Sequence, residues 1–411
     1  MNKIPFVGLH AHSVAGSIFD AIGYPQEHMD FAFENGMDAL ALTDHGNMNG
    51  LPHQVLHAKK MKEDGKNFKP IFGIEAYFIP SLDEWRDDYE AAKEDKKKRK
   101  TLSKDVTATT VEDEDASKKQ VRNVLNRRRH LILLAQDQEG LSNLFAMISE
   151  SFGPNNYYRY PRVDYTTLKK YSKGVIGASA CLGGVYAGNY WENREEGELA
   201  VLNAMRETTK QMLDIFGDRW YGELQWNNIP EQHALNKYII QMHEEFGIEL
   251  ISTSDSHYPN PEAWKDRELY KKLGWLGKPR PGYENAGLPE GVEEIGYELY
   301  PRNGEQMWEA YKKYSESCAV EYDDDLVMKS ITNTYRIAHE RVEDFLPDNT
   351  VRLPDFVIPA GETADTALEK FCIEGLRRLG LHASEEYNER LRMELSVISD
   401  RGFSKYFLTM N

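Results

Sequence analysis

Six short patches within the first 257 residues each place a metal-binding side chain at or just past the end of an apolar, strand-like run. They are Leu9-His10-Ala11-His12, Thr43-Asp44-His45-Gly46, Gly73-Ile74-Glu75-Ala76-Tyr77, His130 opening His-Leu-Ile-Leu-Leu-Ala, Ala180-Cys181-Leu182-Gly183-Gly184 and Ser254-Asp255-Ser256-His257. Side chains at i and i+2 of a strand point to the same face, so His10 and His12 can grip one ion together, and Asp255 with His257 repeats the arrangement. Residues 38–43, 70–73, 174–179 and 249–253 read as buried parallel strands, so their ends can converge. Parallel strands alternating with helices, with the chemistry gathered at strand C-termini, describe a β/α barrel or a doubly wound sheet. Several strands meeting at one site favour the barrel, which takes about 250 residues, the span that the patches occupy.

Composition sets outer bounds. With 411 residues, 40% of them hydrophobic, and three cysteines, the chain has ample core for two domains and no disulfide framework. Cys318 and Cys372 read as ordinary buried or helix-surface residues. The first residues have no apolar signal segment and no stretch approaches the ~18 apolar residues of a membrane span, so the expectation is a cytoplasmic protein with no membrane partner. A net charge of −17 excludes a general nucleic-acid-binding surface, because phosphate affinity calls for Lys and Arg. Nucleic-acid contact would be local: Arg127-Arg128-Arg129, or Tyr157-Tyr158-Arg159-Tyr160-Pro161-Arg162, which interleaves aromatics for base stacking with cations for phosphate. The bland readings are a solvated charge run and a packed surface loop.

Between Ser81 and Asn126 acidic and basic blocks alternate, including Lys96-Lys97-Lys98-Arg99-Lys100 and Glu112-Asp113-Glu114-Asp115. This predicts a mostly solvated insertion with helix in its first half, set between the Glu75 and His130 strands. Helical signals dominate from about Pro259, with Pro-Gly interruptions at 278–282 and 288–291 marking the exit from the barrel. Asp323-Asp324-Asp325 fan out at about 100° per residue on a helix and cannot share an ion, which points to an N-terminal cap. Residues 362–380, after Thr363, and 384–402 read as helices. The region after about residue 340 is expected to be the least stable.

In this order the patches resemble the PHP (polymerase and histidinol phosphatase) domain of the bacterial replicative DNA polymerase III alpha-subunit family. The likeness is carried by Phe6-Val7-Gly8-Leu9-His10-Ala11-His12-Ser13 with Asp20 after it, and by Ala39-Leu40-Ala41-Leu42-Thr43-Asp44-His45-Gly46-Asn47. It continues in Glu298-Leu299-Tyr300-Pro301-Arg302, in the Leu353-Pro354-Asp355-Phe356 turn, and in Gly402-Phe403-Ser404-Lys405-Tyr406-Phe407-Leu408.

The resemblance implies an α/β fold, a distorted, TIM-like PHP barrel over 1–275, with the charged insertion at about 81–126. A smaller, mostly helical α+β segment over 276–411 would be the start of polymerase palm and connector. It implies metal ligands at His10, His12, Asp20, His45, Glu75, His130, Cys181, Asp255 and His257, with His10, His12, Glu75, Asp255 and His257 also catalytic. Three clustered ions follow, with Glu75 bridging, His10, His12 and Asp255 at the first, His130 and Cys181 at the second, and Asp20, His45 and His257 at the third. Imidazoles, carboxylates and one thiolate suit zinc or manganese, or iron, better than magnesium. Where the family carries Gly after the Asp20 position, this chain has Ala21, so that loop backbone is open to difference. Asp44 is open to two roles, orienting His45 or capping a turn.

An intact ligand set resembles the catalytically competent family members, which implies 3′-5′ exonucleolytic phosphodiester hydrolysis at a DNA 3′ end. The family's Gly-rich primer-phosphate loop and acidic palm motif, which would hold magnesium for polymerisation, are not in the sequence. Polymerisation would therefore require a C-terminal polymerase half, and other replisome subunits would be partners. Two alternatives stay open, a free-standing phosphoesterase on a small phosphomonoester and a non-catalytic, metal-braced scaffold.

Overall fold

The computed structural model describes residues 4–102, 126–275, 298–348, 350 and 356–410, with only the backbone of 95–102 and Trp275. The chain forms two compact units, Met1–Pro347 and Asp348–Asn411.

The first unit is built on short, deeply buried strands. In chain order these are β1 (Ala39–Leu42), β2 (Lys69–Phe78), β3 (Arg129–Ala135), β4 (Tyr157–Tyr158), β5 (Tyr160–Pro161), β6 (Val175–Ala178), β7 (Trp220–Gln225) and β8 (Glu249–Thr253). Six of them pair in the order β1-β2-β3-β6-β7-β8, while β4 and β5 form a small separate hairpin. The extended segment Phe6–His12 joins the two open edges. Gly8 bridges Leu40 on one side and Ala11 bridges Ser256 on the other. The His12 amide donates to the Ser256 carbonyl at 2.7 Å, and the Thr43 amide to the Ala11 carbonyl at 2.7 Å. The sheet thereby closes into a barrel, removing the unpaired edges that an open sheet would expose.

Strand direction departs from the all-parallel expectation at one place. β3 runs antiparallel to both neighbours, pairing Tyr77 with His130 and Ile132 with Ala178. A reversed strand begins where its neighbours end. His130, near the start of β3, therefore lies on the rim formed by the C-terminal ends of the parallel strands.

Alternation divides the apolar residues between two cores. Ala39, Ala41, Ile71, Ile132, Leu134, Ile176 and Ile251, with Val7 and Leu9, pack together inside the barrel. Leu40, Phe72, Leu131, Leu133, Leu224 and Leu250 pack outward against the surrounding helices. The inner core also takes Ile337, Ala338 and Val342 from the turn that follows helix Asp324–Arg336. Lys69 Nζ donates to the carbonyls of Ala338 (2.7 Å) and Val342 (2.6 Å), and Gln136 Nε2 to that of Arg341 (2.9 Å). This turn plugs the barrel end opposite the His130 rim. The division expected at 275/276 lies at the edge of the undescribed 276–297, and residues 298–347 pack with the barrel. The Pro-Gly interruptions at 278–282 and 288–291 lie outside the described residues.

Helix Leu82–Leu102 occupies the start of the charged insertion, whose residues 103–125 lie outside the described residues. Its first turn is not solvated: Leu82 and Trp85 are buried with Ile79, and Tyr89 and Tyr158 pack against them. Asp323 caps helix Asp324–Arg336 by accepting from the Asp325 and Leu326 amides, so the acidic triplet works as a cap. In the second unit, Thr363 caps helix Ala364–Arg378, followed by helices Glu385–Asp400 and Ser404–Met410. Its core is small, built on Ala367, Leu368 and Leu408. Among the described residues no helix is long and apolar enough to cross a membrane.

Candidate metal centre

The barrel rim brings together side chains from seven segments. Glu75 is the hub. It sits within β2, fully buried, where an otherwise apolar strand carries one carboxylate to the barrel mouth. Its Oε1 lies 2.6 Å from His130 Nδ1 and 3.9 Å from both His10 Nε2 and Cys181 Sγ. Its Oε2 lies 2.5 Å from His45 Nδ1 and 3.4 Å from His12 Nε2.

Asp255 serves the first histidine pair, with Oδ1 3.0 Å from His10 Nε2 and 3.1 Å from His12 Nε2. Cys181 Sγ stands 3.6 Å from His130 Nδ1. Asp20 Oδ2 reaches His45 Nε2 at 3.1 Å and His257 Nε2 at 3.5 Å. All the ligand positions named from sequence thus share one rim, Asp20 included. Its loop takes the left-handed conformation at Phe19 (φ +64°), and Ala21 is buried. Arg267 holds the other Asp20 oxygen at 2.8 Å.

Two further left-handed residues without glycine's freedom, Ala180 (φ +61°) and Asp255 (φ +50°), stand where ligands enter the rim. Such conformations cost energy and persist where surrounding structure enforces them. Gly46 at φ +67° follows His45, and any Cβ there would meet the Tyr77 ring at 2.8 Å. Glycine lets Tyr77 lie close beside the site.

The donor geometry fits cations. Three groups have ligand atoms within 4.8 Å of one another: His10, His12 and Glu75; His45, Glu75 and His130; and His12, His45 and His257. His12, His45 and Glu75 therefore each belong to two groups. His45 Nδ1 and Glu75 Oε2 are enclosed and 2.5 Å apart, yet neither has a hydrogen-bond partner. The Nε2 atoms of His10 and His12 meet at 3.0 Å. Imidazole nitrogens and carboxylate oxygens crowded into one enclosed rim are what a metal site presents, and the mixture of nitrogen, oxygen and sulfur donors can hold a divalent cation.

Electrostatics point the same way. Burial works against the charged form of Glu75, but the His130 and His45 imidazoliums outweigh it and hold the carboxyl well below its usual range. Asp255 is held low against burial by His10 and His257. Burial, with the neighbouring His45 and His257 charges, pushes His12 well below the usual imidazole value, leaving a neutral ring with a free lone pair.

Two supporting carboxylates emerge. Glu223, on β7, is buried and places Oε1 2.7 Å from His10 Nδ1. It also accepts from Thr253 Oγ1 at 2.5 Å and Gln225 Nε2 at 2.9 Å. The sequence reading missed it. The signal available was a lone Glu in the apolar run Trp220-Tyr-Gly-Glu-Leu-Gln225. Asp44 contacts the loop between His12 and Asp20. It accepts from the Ser13 amide (2.6 Å) and from Ser17 Oγ (2.9 Å), fastening the loop that leads to Asp20. Burial pushes its carboxyl up to about 6.

The basic stretches are mostly structural. Arg162 is buried and donates to the carbonyls of Arg127, Tyr158 and Tyr160. Arg129 is buried against Asn189 (2.8 Å) and Glu192 (2.5 Å). The Tyr157 to Arg162 segment forms the β4–β5 hairpin, turning at Arg159 (φ +61°).

Comparison with known proteins gives the chain a family. The family described as "PHP domain" matches residues 8–227, more than half of the chain. The DNA polymerase III subunit alpha of Aquifex aeolicus is 32% identical over 98% of this chain and 30% of its own length. That of Borreliella burgdorferi is 30% identical over 98% of this chain and 29% of its own length. The chain thus spans about a third of the curated relatives it matches. A solved amidohydrolase from Chromobacterium violaceum covers 64% of this chain and is itself 96% covered, at 13% identity and a TM-score of 0.34. With the family's match running from Gly8 to Asn227, through the strands that carry most of the rim, the chain belongs to the PHP domain family.

Proposed function

We propose that the rim is a metal-dependent phosphodiesterase centre that removes nucleotides from DNA 3′ ends, within a cytoplasmic replication protein of the DNA polymerase III alpha type. The observation that carries the reading is Glu75, whose two oxygens face rings from different segments in a fully enclosed position. Such a carboxylate would hold two neighbouring ions, and paired ions can stabilise both the attacking and the leaving oxygen of an in-line displacement at phosphorus. Relatives spanning nearly the whole chain are named DNA polymerase III subunit alpha, which supports DNA as the substrate class.

In this reading His10, His12 and Asp255 would hold one ion with Glu75, His130 and Cys181 a second, and Asp20, His45 and His257 a third, zinc or manganese being favoured over iron. Ions held there would supply positive charge to polarise a phosphoryl oxygen and to acidify an attacking water. The chain's own residues do the rest. Glu223 keeps the His10 proton on Nδ1, so that Nε2 faces Asp255 and His12. Asp44 and Ser17 hold the loop that aims Asp20. His10, His12, Glu75, Asp255 and His257 are the proposed catalytic set. The barrel is the proposed first domain with 276–411 as its polymerase-like continuation, and the C-terminal polymerase half and replisome subunits are the proposed partners.

The test is a mismatched primer-template labelled at its 3′ end, given to chelator-stripped protein with zinc, manganese or magnesium restored. Stepwise 3′ loss with zinc or manganese, abolished in Asp255→Asn, is the expected result. Turnover of a small phosphomonoester without DNA cleavage would replace this reading with a free-standing phosphatase, and no turnover of either would leave a metal-braced scaffold.

A further inference from the structure

Of the arginines in the two basic stretches, Arg127, Arg129 and Arg162 have protein partners, and Arg159 sits at the hairpin turn, 5.5 Å from the Tyr158 ring centre. Arg127 pairs with Asp88 at 3.3 Å, and Arg129 and Arg162 are buried in the networks described above. Arg128 is different. Its guanidinium lies 3.8 Å over the Tyr160 ring and 5.1 Å from the Tyr77 ring centre. One nitrogen donates to the Asn126 carbonyl at 3.3 Å, and among the described residues no carboxylate pairs with it. Its Nε is enclosed without a hydrogen-bond partner.

The position of this cation matters more than its charge. Tyr77 lies nearly parallel to the His45 ring, 6.2 Å away at 12°, and 5.7 Å from the His130 ring. Arg128 is thus one tyrosine ring removed from two proposed metal ligands, immediately before the strand that carries His130. Tyr160 meets Tyr77 edge-on at 5.2 Å, so the two rings make a fixed platform under the guanidinium. A half-buried cation without a counter-charge is costly unless an anion arrives to pair with it. A planar guanidinium held over aromatic rings keeps N–H groups free in a rigid fork that matches phosphate oxygens.

We propose that Arg128, positioned by Tyr77 and Tyr160, binds a backbone phosphate of a single-stranded nucleic acid and sets the strand's register at the metal rim. The inference rests on the reading of that rim as a nuclease centre. Arg128 binds and positions the substrate and moves no proton.

The experiment uses the full chain and a fluorescent single-stranded oligonucleotide whose 3′-terminal linkage is a phosphorothioate, which slows hydrolysis while anisotropy reads binding across salt concentrations. Arg128→Ala weakens binding about tenfold and lowers the slope of log affinity against log salt by about 0.7, one phosphate contact on a single strand. Arg128→Lys does not restore it, because an ammonium lacks the stacked fork. Arg127→Ala, which loses only an exposed pair, stays close to the wild type. Thermal melting establishes that each variant folds, and Arg128→Gln replaces the alanine variant should the latter unfold.

With the natural linkage, Arg128→Ala raises KM and leaves kcat within about twofold, the pattern of lost uniform binding. Wild-type affinity and KM in Arg128→Ala, or no oligonucleotide binding by the wild type, would overturn the inference. Trimming that is equal in wild type and Arg128→Ala, at equal affinity, removes Arg128 alone and leaves the nuclease reading standing. Binding that depends on Arg128, without trimming by either protein, removes the nuclease reading and leaves the anion site.

Discussion

Glu223 is a carboxylate that holds no ion in the proposed scheme, and its effect is exerted through His10. By accepting the Nδ1 proton at 2.7 Å it fixes the imidazole tautomer and ring orientation, leaving Nε2 toward Asp255 and His12. Outer carboxylates of this kind sustain metal affinity by about 10- to 100-fold. Glu223→Gln is therefore expected to weaken zinc or manganese binding by that factor while the barrel stays folded, as competition against a calibrated chelator would measure. Unchanged affinity would sink the assignment. The proposed ligands were legible because the resemblance names all of them, and i, i+2 spacing on strands independently pairs His10 with His12 and Asp255 with His257. Glu223 was not, because nothing in its local sequence ties it to His10. That link exists only once β7 is packed against the barrel mouth. The contacts of Asp44 were not legible for the related reason that its partners, Ser13 and Ser17, lie in a loop distant in sequence.

At the scale of elements, the apolar runs gave the strands, but periodicity carries no direction, so the reversal of β3 could not be read from it. Nor does a short segment such as Phe6–His12 announce that it pairs on both sides. Helix Pro25–Glu34, which flanks this segment, offers a test of its own. Its His28 is fully buried, with Nε2 3.0 Å from the Ile22 carbonyl. Burial, only partly offset by that carbonyl, pushes its pKa down from 6.5 to about 4. The folded state thus prefers the neutral ring. The stability it contributes is present above the unfolded value of 6.5 and is lost as pH falls from there toward 4. The shift corresponds to about 3 kcal/mol when complete. In His28→Gln this titration is absent. The wild type's stability relative to the variant should therefore fall by about 2 to 3 kcal/mol between pH 8 and pH 4.5. Denaturant unfolding at both values checks it, and an equal difference at the two would refute the buried neutral histidine.

For the whole molecule, residues 298–347 are part of the first compact unit, held there by the turn Ile337–Val342, whose apolar residues fill the barrel core. A plug of this kind reads from sequence as one more helix end. The second unit has little to hold it: none of the residues of helix Glu385–Asp400 is buried, and Phe371, Val397, Phe403 and Met410 are exposed. Residues after Asp348 should exchange amide hydrogens and be cut by protease before any barrel strand, and equal protection in both units would contradict this.

The metal reading adds a sharper expectation. Glu75 and Asp255 are enclosed among imidazoles in the first unit, so ions bound there stabilise that unit and not the other. Free metal at a hundred times its dissociation constant contributes about 2.7 kcal/mol. For a large domain each kcal/mol shifts the midpoint by about 2 to 4 °C. Calorimetry with and without chelator should therefore show the first unit's transition fall by roughly 5 to 10 °C on stripping, with the second unit's unchanged. Equal movement of both transitions, or of neither, would mean that the rim histidines and carboxylates hold no ion that matters to the fold.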